Sequence, residues 1–307
     1  MTDIGANAYL LSETRIARTF VENAPIRTPA LGRIPIRGID GGGFDIARAS
    51  VQVQAPAVND CGDVTDQGAQ PTQANFALSE YETAANICSS AADRYSQPIN
   101  QDVAQSWMAH RRLWYAVARG IATPAVAGSL AGLPDIISNS IAVNGVLTFS
   151  LMDRLLNLIT DNDGLSIILM GHSRARNTLK NLCYAEGMMP PTVITDVYNP
   201  LKGRMTPQLM NHWGGAIWFD NDMIPIETDP QERSDIFAFI PGSSQGWGLG
   251  KGLELLVPSH KLHDPYVRRE VTEFGSTRTQ IQYTLPIGLS LGSQGAAAML
   301  TAVNIDA

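Results

Sequence analysis

Apolar positions recur at helical spacing between Gln97 and Arg119, where Ile99, Val103, Trp107, Trp114 and Val117 line one face. Ser96 can cap this segment, Pro98 suits its first turn, and Gly120 sits where a stop is expected. The spacing predicts a helix roughly 35 Å long, enough to act as a spine. Upstream the period is two. Phe44 to Pro56 alternates through Phe44, Ile46, Val51, Val53 and Ala55, with one phase slip. Ala74 to Cys88 alternates through Phe76, Leu78, Tyr81, Thr83, Ala85 and Ile87, also with one slip. Two alternating arms with matching slips predict a long hairpin with a bulge or bend. Its joining segment, Ala57 to Thr72, is polar and rich in Gly, Asp, Asn and Gln. A two-stranded ribbon is marginal alone in water. This one has few large apolar residues, so it either folds back on its own domain or lies across a neighbouring subunit.

The first forty residues read as an arm. Ser12 can cap a short helix with Ile16, Ala17, Phe20, Val21 and Ala24 on one face. Pro25, Pro29 and Pro35 then keep the chain extended, and Gly41, Gly42 and Gly43 close the arm with a flexible turn. Beyond a Pro/Gly-rich connector, Thr123 to Pro134, the pattern becomes mixed. Leu147 to Thr160 and Ser173 to Ala185 read as helices, the second ended by Gly187. Ser166 to Met170, Thr192 to Tyr198, Ala216 to Phe219 and Asp235 to Ile240 read as strands. Gly242 to Gly252 reads as a glycine-rich loop, Tyr266 to Leu285 as a long strand region, and Ala296 to Ile305 as a strand or short helix.

Of the 307 residues, 44% are hydrophobic and 17% charged, enough to bury an ordinary core without metals or disulfides. The net charge of −7 argues against tight nucleic-acid binding, which usually needs a basic face. It leaves room for enclosing nucleic acid, because an acidic wall would keep the polymer from sticking. Lysine occurs only at Lys180, Lys202, Lys251 and Lys261. The remaining positive charge is arginine, suited to directional contacts at permanent interfaces. Cys61, Cys88 and Cys183 show no metal-ligand spacing and fit synthesis in a reducing cytoplasm. No stretch has the length of a membrane span.

The candidate chemistry centres on Gly171-His172-Ser173-Arg174-Ala175. A strand precedes it and a helix follows, as in the nucleophile elbow of serine hydrolases. Asp220, Asp222 or Asp235, then His260 or His263, would follow in the required order. Against this, Ala175 replaces the usual glycine, no His-Gly-Gly oxyanion loop precedes the motif, and the upstream half lacks alternating strands and helices. The simpler reading makes Ser173 a helix N-cap. Gly246 to Gly252 is glycine-rich around Lys251, but lacks phosphate-loop spacing and a following Ser or Thr. His260, His263 and Asp264 have no companion ligand cluster. Asp220, Asn221, Asp222 and Asp229 lack calcium-loop spacing. No cofactor or metal is implied.

Arm, long hairpin, spine helix, mixed α/β unit and a late returning strand follow one another in an order that resembles the Hong Kong 97-type major capsid proteins of tailed phages. TFVENAPI and RIPIRGIDGGGFDIAR, within Thr19 to Arg48, look like the family's arm and extended loop. Ser150 to Leu182 looks like the helix–strand–helix unit of its axial domain, and WGGAIWFDNDMIP, Trp213 to Pro225, like its Tyr-Gly-x-Pro-Ile strand segment. Asp264 to Leu289 resembles its returning peripheral strand. Encapsulins share this fold.

The resemblance implies an α+β fold divided into an arm (1–42), an extended hairpin (43–90), a peripheral domain (91–144 and 253–287) and an axial domain (145–252 and 288–307). It implies hexamers and pentamers closing into a virion capsid around DNA without sequence-specific binding, after synthesis in the host cytoplasm. A separate scaffold, a portal and cement or decoration proteins are possible partners. Phe20, Arg48, Val51, Val53, Phe76, Tyr81 and Trp247 are the expected interface residues, and Gly41, Gly42 and Gly43 the hinge. In the family's type member a hairpin lysine forms an isopeptide crosslink. Gly43 to Ser90 contains no lysine, so no such crosslink is expected.

Overall fold

The long apolar stripe forms a helix, α1, spanning Pro98–Ala122. Leu113, Trp114, Val117, Ala118 and Ile121 are buried along it. It runs through Gly120, where the sequence suggested a stop. That glycine serves a neighbour instead: a Cβ there would overlap the Tyr81 hydroxyl. The computed structural model describes residues 31–49, 71–88, 98–126, 129–161, 167–199, 204–228, 231–242, 251–261, 267–272 and 278–305. The helix expected around Ile16 to Ala24, the hairpin tip and most of the glycine-rich loop lie outside these.

The upstream strands are β1 (Ile36–Ile39), β2 (Gly43–Ala49), β3 (Pro71–Ala77) and β4 (Ser79–Cys88). β2 and β3 pair in antiparallel register from Gly43 opposite Ala77 to Ala49 opposite Pro71. The predicted hairpin therefore exists, but its second arm divides at Leu78. β4 pairs instead with β13 (Arg278–Leu291), from Cys88 opposite Arg278 to Ser79 opposite Ile287. The phase slip seen in the sequence marks the point where the chain changes sheets.

After α1 come a short helix, α2 (Leu133–Ile136), β5 (Ser140–Val146), α3 (Phe149–Asn157), β6 (Ile168–Gly171) and α4 (Ser173–Ala185). Then follow β7 (Thr192–Asn199), β8 (Arg204–Trp213), β9 (Ala216–Asp220), β10 (Arg233–Phe239), β11 (Leu253–Pro258), β12 (Val267–Thr272) and β14 (Ala297–Asn304). Seven strands form one sheet in the order β5-β14-β10-β6-β9-β8-β7. A second sheet runs β1-β11-β13-β12, with β4 also on β13. The expected strand region 266–285 is thus two antiparallel strands, Val267 facing Thr284 and Thr272 facing Thr279.

Central strands are enclosed on both faces. Ile236, Phe237, Ala238 and Phe239 of β10 are all fully buried, as are Leu253 to Leu256 of β11 to within a few per cent. Burial on both faces removes the polar alternation that marks a half-exposed strand. One core joins α1, α3 and both sheets, and its largest enclosed side chains include Trp218, Phe219, Phe237 and Phe239. The C-terminal strand bulges at Ala302, whose φ is +56°, and the Asp235 carboxylate accepts the Ala302 N–H at 2.9 Å. Burial pushes the Asp235 carboxyl up.

Candidate assembly surfaces

The end of α1 is built by short-range chemistry. The Asp135 carboxylate accepts the N–H of Ala125 at 2.7 Å and of Gly132 at 3.0 Å, folding the connector back under the helix C-terminus. Tyr81 on β4 fits between Gly120 and Leu130, and burial pushes its phenol up. Asn221, just past β9, is fully buried. Its amide donates to the Ala118 carbonyl of α1 at 3.0 Å, and its Oδ1 accepts the Met223 N–H at 3.1 Å. One side chain thereby joins the spine helix to the seven-stranded sheet.

The strand–turn–helix motif is also a structural joint. His172, not Ser173, is the N-cap of α4: its Nδ1 accepts the Arg174 N–H at 3.1 Å. The Ser173 N–H donates to Asp222 Oδ1 at 3.1 Å. A carboxylate at the start of a helix is favoured by the helix dipole and by the unpaired N–H groups there. Asp220 accepts from Arg176 and, at 3.1 Å, from the Trp218 indole, while Arg174 pairs with Glu232. Of the acids offered to a serine nucleophile, Asp220 is taken by Arg176 and Trp218 and Asp235 by the Ala302 N–H, while Asp222 holds the Ser173 backbone N–H. Among the described residues no histidine bonds the Ser173 hydroxyl. His260 sits in a turn beside β1, in the other sheet, and His263 lies outside the described residues.

Burial pushes the His172 imidazole below its ordinary value. Asp222, at 3.9 Å, pulls the other way with Asp220 and Glu232, and Arg174 adds to the depression. A histidine depressed on folding contributes its full stability above the unfolded pKa, near about 6.5, and loses it as pH falls below that value. Urea unfolding should therefore show stability declining below about pH 6.5. His172→Asn keeps a capping acceptor and should remove that part of the decline.

The expected interface residues fall in different places. Phe20, Val51, Val53 and Trp247 lie outside the described residues. Arg48 is in β2 opposite Thr72. Phe76 is turned into its own chain, 6% exposed and packed with Ile39 and Leu256, which leaves little of the ring for a partner. Tyr81 is half-buried against α1. Of the expected hinge, Gly41 has a φ of +95° and a Cβ on Gly41 or Gly42 would meet nothing within 4 Å, whereas Gly43 is already in β2, opposite Ala77.

A surface that sequence reading missed lies along α4 and the β7–β8 hairpin. Tyr184, Met188 and Met189 follow one another at the end of α4, Met189 being 88% exposed. Ile194 and Leu209 face each other across β7 and β8 at 70% and 67% exposure. The available signal was the run Met188-Met189-Pro190-Pro191, apolar where a helix had just ended.

Hairpin, spine helix and the two sheets together define the Hong Kong 97-type fold, the α+β architecture of phage capsids and encapsulin shells. The chain matches the subunit of the holo-SrpI encapsulin complex from Synechococcus elongatus PCC 7942 with a TM-score of 0.70 at 14% identity, over 91% of this chain and 88% of that one. It matches the capsid of the native GTA particle at 0.62 and 10% identity, over 91% and 90%. For Mycobacterium phage Patience the values are 0.53 and 10%, over 100% and 90%. No family model and no curated protein matches the sequence. No helix among the described residues is long and apolar enough to cross a membrane.

Proposed function

We propose that this chain is the major capsid protein of a tailed double-stranded DNA virus. Its work is mechanical: copies form hexamers and pentamers that close into an icosahedral shell. The observation that carries this reading is the likeness to capsid and encapsulin subunits over nearly the whole chain, hairpin and spine helix included. The division into arm (1–42), hairpin (43–90), peripheral unit (91–144 and 253–287) and axial unit (145–252 and 288–307) belongs to the same proposal. So do bending at Gly41 to Gly43, synthesis in the host cytoplasm and separate scaffold, portal or cement proteins. The net charge of −7 suits a wall that contains DNA without gripping it. With no lysine between Gly43 and Ser90, the hairpin has no lysine to give to an isopeptide bond, and copies are held by non-covalent contacts in this reading.

A second reading, a cellular cargo compartment, shares the same fold, the encapsulin matching at 0.70 and the GTA capsid at 0.62. Electron microscopy of the purified protein, followed by analysis of particle contents, separates the two. Closed shells or rings of five and six are expected, with nuclease-protected DNA in particles from the native source. Protein cargo in place of DNA would establish the compartment. Ester cleavage abolished in Ser173→Ala would overturn both, and a covalent ladder on a denaturing gel would remove the non-covalent part.

A further inference from the structure

We propose that Leu31–Ile39 is a detachable strap, and that its docking and the seating of the β2–β3 hairpin are one event. The strap enters as a 3-10 turn, Leu31–Arg33, and continues as β1, an edge strand of four residues parallel to β11. Parallel pairing is slightly weaker per residue than antiparallel pairing, and four residues give a short ladder. Leu31 and Ile34 anchor it in the main core, and two arginines reach different sheets. Arg37 Nη1 lies 3.2 Å from Glu254 Oε2 on β11. Arg33 donates to Thr195 Oγ1 on β7 at 3.3 Å, and its guanidinium lies 5.3 Å from the ring centre of Phe219 on β9.

Glu254 makes the first contact consequential. Its side chain is 4% exposed, between the strap, Gly242 and Ser290 of β13. A charge so enclosed is strongly unfavourable without its partner. Burial pushes the Glu254 carboxyl up, and Arg37 pulls it back only in part.

The link to the hairpin is Ile39, the last residue of the strap. It is buried outside the main core, in a separate cluster with Phe76 of β3 and Leu256 of β11, with Ala74, Leu78 and Ile136 packed around it. That cluster seats the base of the hairpin, where the Leu78 N–H also donates to the Gly42 carbonyl at 3.0 Å. Undocking β1 withdraws Ile39 from under Phe76. Gly41 and Gly42, with open space around them, allow the hairpin to follow.

Hydrogen exchange on the full, unassembled chain tests this without reference to the shell reading. Two amides report the two halves: Leu255, which donates to Pro35 of the strap at 2.9 Å, and Leu78 at the hairpin base. Arg37→Ala should speed exchange at both by about tenfold or more, leaving Phe237 and Leu300 in the central sheet unchanged. Adding Glu254→Gln should return both amides toward the original rate, because no charge is then stranded. Acidification should do the same for the protection factors of Arg37→Ala alone, taken relative to the intrinsic exchange rate at each pH, since a neutral Glu254 needs no cation. Ile39→Val, a one-methylene change, should loosen Leu78 and Leu255 together. Acceleration at Leu255 without Leu78, or at neither, in Arg37→Ala would overturn the coupling. If that variant unfolds the central sheet as well, Ile39→Val decides, and movement of only one amide there is the refuting result.

Discussion

Asn221→Ala is expected to lower the stability of the isolated subunit by about 3 kcal/mol. The side chain is fully enclosed, and its amide bridges the Ala118 carbonyl of the spine helix and, at 3.7 Å, the Met170 sulfur of β6. Its Oδ1 meanwhile holds the turn at Met223. Truncation strands two polar groups and opens a void between helix and sheet, and these costs add. Asn221→Asp goes further. It places a carboxylate against a carbonyl oxygen, between Asp220 and Asp222, where the side chain's hydrogen-bond partners are Ala118, Met170 and Met223 and none is a cation. Its folded pKa must rise above the unfolded value, so that variant gains stability as pH falls. Urea denaturation at neutral pH should rank wild type above Asn221→Ala above Asn221→Asp. The last gap should narrow toward about pH 5. Equal stability of the three at neutral pH would show that the bridge carries no energy.

Gly132→Ala is the second large effect, again about 3 kcal/mol. Gly132 has an ordinary φ of −78°, so backbone freedom is not why it is glycine. Space is the reason. A Cβ there would overlap the Thr123 carbonyl oxygen and come within 2.6 Å of the Gly120 oxygen and 3.1 Å of the Ile121 oxygen. All three belong to the backbone at the end of α1 and cannot swing aside as a flexible side chain would. The entropic gain of Gly→Ala, about 0.4–1 kcal/mol, has the opposite sign and is outweighed. Gly145→Ala is the control, because its nearest neighbour would be the Val143 oxygen at an ordinary 3.6 Å. Thermal unfolding should separate the two clearly, with Gly145→Ala shifting little. A Gly132→Ala protein as stable as wild type would mean that the connector beneath α1 yields freely.

Local signals in the sequence were legible where one face of an element meets water. The stripe on α1 belongs to that kind. The period fails where both faces are enclosed, which is why Leu253 to Pro258 drew no element from the sequence although it is β11. β5 alternates cleanly between exposed and half-buried positions, yet its small residues and Gly145 left it without a strand signal in the sequence. β8, from Arg204 to Trp213, was hidden by Pro207 and by polar residues on a hairpin largely outside the core. Gly120 was misread because a glycine that admits a tyrosine and a glycine that ends a helix are identical in sequence. The division of the hairpin at Leu78 depends on a partner near Ile287, and no local pattern can reveal a pairing at that distance. Of the candidate site, the serine motif was found in its correct strand–turn–helix setting. The cap itself is local, from His172, but the carboxylate that receives the Ser173 N–H is Asp222, brought in by the turn after β9.

The long-range pairing of β4 with β13 also orders events in time. β4 is made from residues 79–88, and the strand it pairs with begins at Arg278. Arg37 and its partner Glu254 are 217 positions apart. At about 5–20 residues per second, tens of seconds separate the synthesis of one member of each pair from that of the other. The seven-stranded sheet has a similar constraint, since β14 separates β5 from β10 and is the last strand of the chain. Neither sheet can close while the ribosome still holds the final thirty or so residues of this sequence. A nascent chain thus carries unpaired strand edges until β13 and β14 have been made, and a cell making it in quantity must keep those edges apart for that time.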